Sequence, residues 1–391
     1  MNTTTKTGSS KAGYDVVIVG ARCAGAATAM LLAKNGVSVL AVDRKACGSD
    51  TLSAHALMRP AVSQLRRWGL LEPLVQAGTP VMTSTVFHYG ETRSEVSPEP
   101  GLPGLIAPRR ALLDRLLCDA AQQEGAEIVH DTAAIDLVRA ADGRVTGVVV
   151  RCEDGRLITI RAGLVIGADG INSLVARIGQ AATIARGRAA ATHIYGYVRS
   201  EDDSASHWHF GERAGAFVVP TNRGQTCLGV SVSTRRFDTE LRGRLAHARL
   251  TVLDEVDPEL AMWAWQSSIG EVQAYCGAPG FLREASGPGW AVVGDAGFYH
   301  DPVGSHGISD AFRDAESLAH AILAGGQVAM ARYGEERDQL AKPILEVTDA
   351  MAGFDLPLPE LEKRHKQLAL VMKTEMALLE RRRQRRPRMA A

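Results

Sequence analysis

The sequence predicts an α/β protein: a mostly parallel sheet with helices on both faces, an antiparallel meander, and an inserted antiparallel sheet. Three observations carry this reading. Asp15-Val-Val-Ile-Val-Gly20 is a β-branched run ending in glycine, the pattern of a buried strand. Ala24 to Asn35 is rich in Ala and Leu and stops at Gly36, and a second apolar run follows at Val37–Val42. Strand, helix and strand in so short a stretch is the unit that builds parallel sheets. Further on, the turns Asp142-Gly143 and Asp154-Gly155 separate runs such as Val145–Val150 and Leu157–Ile160, which predicts a three-stranded antiparallel meander.

The remaining elements follow in order. A helix is expected over about 60–76. The stretch 91–104 holds three prolines and should be loop. Arg110 to Glu124 reads as an amphipathic helix, and Leu164–Gly167 as a buried strand. Residues 185–235, and again 263–277, are strand-rich with aromatics, around a helix at 237–256. Trp290–Gly294 is another buried strand, and helices fill most of the rest. Over 359–383, Leu361, Leu368, Met372, Met376 and Leu379 form one stripe, which can pack on its own domain or meet a second copy in a homodimer.

Composition narrows the function classes. The 391 residues are 46% hydrophobic and 23% charged, enough for two or three soluble domains without metal or disulfide staples. No two of the six cysteines lie closer than 24 residues, so no CxxC pair exists, and a reducing cytoplasmic home is expected. No apolar run is long enough to span a membrane, and Met1–Gly13 has no signal-like core and reads as a disordered tail. The charges balance, 44 against 44, but residues 381–391 hold six arginines and no acid. Without them the body is net acidic, which gives no case for nucleic acid. The tail itself reads as a solvated end.

Three Gly-rich motifs carry chemistry. Gly20-Ala-Arg-Cys-Ala-Gly25 follows a strand and opens a helix. Gly20 permits the tight turn, Gly25 permits close helix–strand packing, and the helix N-terminus offers N–H groups to a pyrophosphate. Arg22 stands where the dinucleotide pattern has a middle glycine, and its guanidinium can fork onto phosphate or point away. Asp43 ends the second strand, where an acid can accept both hydroxyls of an adenosine ribose. Gly167-Ala-Asp-Gly-Ile-Asn-Ser173, with Arg177, is the second motif. Trp290–Ala296 followed by Pro302-Val-Gly-Ser-His-Gly-Ile-Ser-Asp310 is the third.

With these motifs the sequence resembles the FAD-dependent oxidoreductases built like p-hydroxybenzoate hydroxylase, from Tyr14 to about residue 345. That group includes aromatic monooxygenases, geranylgeranyl-reductase-like enzymes and flavin halogenases. The resemblance implies a Rossmann-like FAD-binding fold. By the same resemblance, Asp169 and Gly170 of the second motif would belong to the cofactor site. Asp295 would bond a ribityl hydroxyl, Pro302 would wall the isoalloxazine, and Gly304, Ser305, His306 and Gly307 would offer amides to the reduced ring. Arg110, rather than Arg109, would be the helix arginine on the cofactor, and Arg44 could reach phosphate or flavin. Either helix arginine could instead be solvated. The polar segment Ser49–His55 is a candidate neighbour of the cofactor, or plain turn chemistry.

The implied reaction is monooxygenation. NADPH or NADH reduces FAD, O2 adds at flavin C4a, and oxygen passes to an aromatic or polyketide-like small molecule by hydroxylation or epoxidation. The alternative is reduction of a carbon–carbon double bond, and a separate flavin reductase could supply electrons. His193, Tyr195, His207 and His306 are candidate catalytic groups by position. His193, Tyr195 and Tyr197 share one strand face, and His207 and His209 share another with Trp208 opposite. No metal site is expected at His207 and His209, because no nearby acid or cysteine completes a ligand set. Trp263-Ala-Trp265 resembles a halogenase signature but lacks its proline, and no lysine lies between Lys45 and Lys342 to relay hypohalous acid. The expected domains are the tail 1–13, an FAD-binding domain over 14–80, 105–180 and 285–350, a substrate domain over 81–104 and 181–284, and a C-terminal helix and tail over 351–391.

Overall fold

β-branched residues between Tyr14 and Val19 form the central strand of a sheet whose order runs Ser286–Gly287, Trp290–Val292, Leu157–Gly167, Tyr14–Val19, Val39–Val42, Glu127–Val129. Four of its five pairings are parallel. The computed structural model describes residues 13–49, 51, 56–98, 104–200, 204–267 and 270–384. Residues 1–12, most of the polar segment at 49–55 and residues 385–391 of the Arg-rich end lie outside them. Helices Cys23–Ala33, Arg110–Gln123 and Gly307–Ala324 bury Leu32, Leu113, Phe312 and Leu318 against one face. The other face carries the meander, Ala133–Arg139 and Val145–Arg151.

Leu157–Gly167 is one continuous strand rather than two. Its first half runs antiparallel to Val145–Arg151, and its second half runs parallel to Tyr14–Val19. This mixed α/β architecture is the one expected from the sequence, except that the second face is covered by the meander and only the short helix Leu174–Gly179, rather than by a full helical layer.

The second sheet has seven strands, in the order Gln273–Cys276, Ala191–Arg199, Gln225–Ser233, Ala214–Thr221, Ala205–Phe210, Ser84–Tyr89, Thr92–Val96. Several local expectations change here. Part of the 91–104 stretch is an edge strand, Thr92–Val96, because the turn at Gly90 folds it back onto Ser84–Tyr89 before the prolines begin. The 60–76 helix breaks into Arg59–Arg67 and Leu71–Gln76 at Gly69, whose φ of +76° no helix accommodates. The 237–256 helix opens with a π-helical turn, Phe237–Leu241, and resumes at Leu245. Trp263 and Trp265 lie on a helix, Pro258–Gln266. The Asp257 carboxylate accepts from Glu259 N–H and Leu260 N–H and caps it, and Pro258 suits its first turn.

The C-terminal helix, Leu358–Gln384, packs onto its own chain. Leu361, Leu368 and Met372 meet Tyr89, Phe210 and Met351. A charge also anchors it. Glu375, with no exposed surface, accepts from His306 Nε2 at 2.6 Å and from Arg313 Nη1 at 3.3 Å. Burial opposes a charge on His306, but the Glu375 and Asp310 carboxylates outweigh it and raise its pKa.

Glu375→Ala should therefore cost about 3–5 kcal/mol, because it leaves buried cations without their partner. Urea unfolding measures it. The His306 contribution should be complete below its unfolded pKa of about 6.5 and fade as pH rises through its raised folded value. The parent-to-variant difference should shrink in that direction.

Candidate functional site

A cavity of about 750 Å³ opens at the carboxyl ends of the parallel strands and runs under the seven-stranded sheet. That is where open α/β sheets bind ligands. Its floor is set by backbone contact. Gly20 has φ +99°, and a Cβ there would lie 2.4 Å from Ala168 O. A Cβ on Gly25 would lie 1.8 Å from Gly20 O. Only glycine allows this turn and this helix approach. Gly20 lines the cavity, and Gly25 packs behind it. Arg22 lines it too, with Nη2 donating to Ser49 Oγ at 3.2 Å.

Asp43 is buried at the end of its strand. Its Oδ2 accepts from Ala21 N–H and its Oδ1 from Lys45 N–H, each at 2.9 Å. It braces the Gly20 turn, and each oxygen keeps acceptor capacity for the cavity. Arg44 lines the same end.

Arg110 lines the cavity, and Arg109 does not: its guanidinium stacks 3.5 Å over the Tyr197 ring. Arg110 Nη2 donates to both oxygens of Asp114 at 3.1 Å, while its buried Nε has no hydrogen-bond partner among the described groups. A buried donor left over in this way asks for an acceptor from a ligand. Asp169 and Gly170 also line the cavity. The Asp169 carboxylate accepts from Ser173 Oγ at 2.5 Å and from Leu174 N–H at 2.6 Å, so it braces its own loop and the helix behind it.

Asp295 faces the cavity beside Gly307. Burial pushes its carboxyl up to about 6, against the pull of the His300 and Arg110 charges. Pro302 and Ser305 form one wall. Ser305 adopts φ +51° and donates its N–H to Pro302 O, so that amide is already used within the turn. Gly304 and His306 do not line the cavity. Gly304 packs on Thr348 and Leu368, and His306 is committed to Glu375.

The far end is aromatic. Tyr195, Trp208, Phe210, Phe217, Tyr275 and Tyr299 line it, with His193 and Ser231. His193 Nδ1 lies 2.7 Å from Ser231 Oγ. Its Nε2 is 3.6 Å from Asp301 Oδ1 and has no hydrogen-bond partner among the described groups. His207 lies on the other face of its strand, away from the cavity. Of the four candidate catalytic groups, the cavity thus brings together His193 and Tyr195.

Three contributors escaped the sequence reading. Tyr275 and Tyr299 hold their hydroxyls 3.0 Å apart, and burial pushes the Tyr275 phenol up to about 12. Asp301 Oδ2 accepts from Ala191 N–H at 2.7 Å and its Oδ1 from Val303 N–H at 3.0 Å, tying the second sheet to the Pro302 turn. Only the Asp-Pro pair, a helix-start signal, hinted at Asp301.

The family model of the FAD binding domain matches residues 13–348. Menaquinone reductase of Mycolicibacterium smegmatis is 28% identical over 336 residues, covering 80% of this chain and 77% of that protein. Digeranylgeranylglycerophospholipid reductase 2 of Methanothermobacter thermautotrophicus is 27% identical over 325 residues, covering 81% and 80%. Among solved structures, PqsL, a probable FAD-dependent monooxygenase from Pseudomonas aeruginosa, superimposes with a TM-score of 0.74 at 23% identity, over 92% of this chain and all of that one. The flavin-dependent brominase Bmp2 gives 0.76 at 19% identity, over 95% of this chain and all of that one. The chain belongs to the FAD binding domain family, a family of FAD-dependent oxidoreductases. The unpartnered Arg110 Nε, the glycine-built turn and the Asp295 carboxyl fit that cofactor.

If Asp295 accepts ribityl hydroxyls, FAD binding favours its ionised form. FAD affinity should then rise with pH from about 5 to about 7, and Asp295→Asn should flatten that profile. Asp295→Ala should cost about 1.5–3 kcal/mol of binding energy with the fold retained. Flavin fluorescence titration against pH checks both.

Proposed function

We propose that the protein is an NAD(P)H- and O2-dependent FAD monooxygenase acting on an aromatic or polyketide-like small molecule. The observation that carries this reading is the aromatic chamber beside Pro302, with the paired Tyr275 and Tyr299 hydroxyls and an uncommitted His193 Nε2. Bound FAD would supply the redox chemistry, passing two electrons from the nicotinamide to O2. The balance is one substrate, one O2, one NAD(P)H and one proton, giving hydroxylated or epoxidised product, water and NAD(P)⁺.

The protein's part is binding and exclusion of water. Gly20, Arg22, Asp43, Arg44, Arg110, Asp169, Gly170, Asp295, Pro302, Gly304, Ser305 and Gly307 make the cofactor half. Those on the cavity wall would touch FAD; Gly25, Gly304 and His306 support them from behind. Residues 14–80, 105–180 and 285–350 form the FAD-binding unit, and 81–104 with 181–284 roof the substrate. Trp208 and Phe217, with ring centroids 5.8 Å apart and planes tilted 35°, give that roof aromatic faces that suit an aromatic substrate. His193, oriented by Ser231, would hold a proton at its Nε2 for a substrate hydroxyl, with Asp301 steadying the charge.

One observation favours a second reading. The two curated relatives described above are both reductases. In that reading, two electrons saturate a carbon–carbon double bond and O2 is not consumed. The aromatic, polar-tipped chamber is a poorer match to a long, wholly apolar prenyl chain.

The purified protein should be yellow and release FAD rather than FMN on denaturation. After anaerobic reduction by NADH or NADPH, admitting air with phenolic and polyene compounds should yield product heavier by one oxygen atom. Product heavier by two hydrogens, formed without oxygen, would instead establish the reductase.

A further inference from the structure

One row of the roof sheet stays in register across five strands. Phe210 stands opposite Gly215, Gly215 opposite Ser231, Ser231 opposite His193, and His193 opposite Tyr275. Residues paired in this way point to one side of a sheet, and all five line the cavity. Every position in the row presents an aromatic or polar side chain except Gly215, which presents none.

That gap is covered from another part of the chain. Helix Gly326–Ala352 ends, a link over 353–357 follows, and the C-terminal helix starts at Leu358. Phe354, in this link, also lines the cavity. A Cβ placed on Gly215 would lie 3.5 Å from Phe354 Cε1 and 3.3 Å from Phe210 Cδ1. The Phe354 ring therefore sits over the glycine and beside Phe210, where a side chain at residue 215 would crowd it. The match to the family model ends at residue 348, so this piece of wall comes from outside the shared part of the chain.

The backbone that carries the ring is unusual. Phe354 has φ +51°, a left-handed conformation that bulky residues rarely adopt. Such conformations persist only where the surroundings impose them, and they gather at ligand clamps. Here the Phe354 N–H donates to Met351 O at 3.2 Å, and Met351 is buried. On the other side, Leu356 and Leu358 pack into the cluster of Tyr89, Phe210 and Met351. Held at both ends, the ring is a fixed stop.

We propose that Phe354 is a specificity-determining residue: an end stop that limits how far an aromatic substrate at His193 extends along this row. The inference rests on the aromatic-substrate reading given above. Gly215 lies two strand spacings from His193, about 9–10 Å at the backbone. That span admits a small aromatic nucleus and stops an extended polycycle. Tyr275 stands at the other end of the row.

The test uses the full-length, FAD-loaded protein and four phenols of increasing size: phenol, 2-naphthol, 2-anthracenol and 1-hydroxypyrene. Binding is read by calorimetry and by perturbation of the flavin absorbance. In the parent, affinity should fall once the ring system outgrows the stop. In Phe354→Ala the two largest phenols should bind at least about tenfold more tightly than in the parent, with phenol nearly unchanged. Phe354→Gly removes the same ring and suits the left-handed backbone, so it decides the matter if Phe354→Ala folds poorly.

The same dependence on size in parent and folded variants, or an equal gain for all four phenols, would overturn the end stop and leave the aromatic-substrate reading standing. A parent that holds FAD and binds none of the four would overturn both.

Discussion

The site depends on one carboxylate. Asp301 stands where the parallel sheet's last crossover meets the second sheet, and its two oxygens serve two masters. One takes the Ala191 amide at the start of a roof strand, and the other takes the Val303 amide in the turn behind Pro302. With 2% of its surface exposed, it is a charged acceptor in a nearly dry setting, where such hydrogen bonds are strong. It ties the Pro302 wall of the cavity to the seven-stranded sheet, and His193 Nε2 lies 3.6 Å from it.

A second layer of charge holds this junction from behind. His300 lies in the cavity wall with Nε2 2.9 Å from Asp310. Asp310 also takes Arg313, and Arg313 shares Glu375 with His306. The chain of alternating charges runs from the chamber to the C-terminal helix, almost without exposed surface. Removing a link leaves a buried charge uncompensated, so the network resists piecemeal change. It joins the stability of the C-terminal helix to the loop that would face the flavin.

The parts legible in the sequence were those set by short-range rules. Gly20, Gly25 and Asp43 stand in a strand–turn–helix–strand whose steric demands are local, and they meet as those demands require. Asp295 and Pro302 reached the cavity for the same reason. What stayed hidden was long-range. Tyr275 and Tyr299 meet only because two sheets pack, Asp301 acts across more than a hundred residues, and Glu375 comes from a helix that looked merely amphipathic. His306 sat in the right motif, but its ring turns to Glu375, a direction no spacing encodes. The helix carrying Trp263 has the aromatic content of a strand, and only the Asp257-Pro258 start signal marks it as helix.

The central claim is that Asp301 holds the two halves of the chamber in register. Hydrogen–deuterium exchange in Asp301→Ala tests it most directly. The account predicts that the Ala191 and Val303 amides lose protection together, while the amides around Gly20 and Gly25 keep theirs. Unchanged protection at Ala191 and Val303 would contradict it.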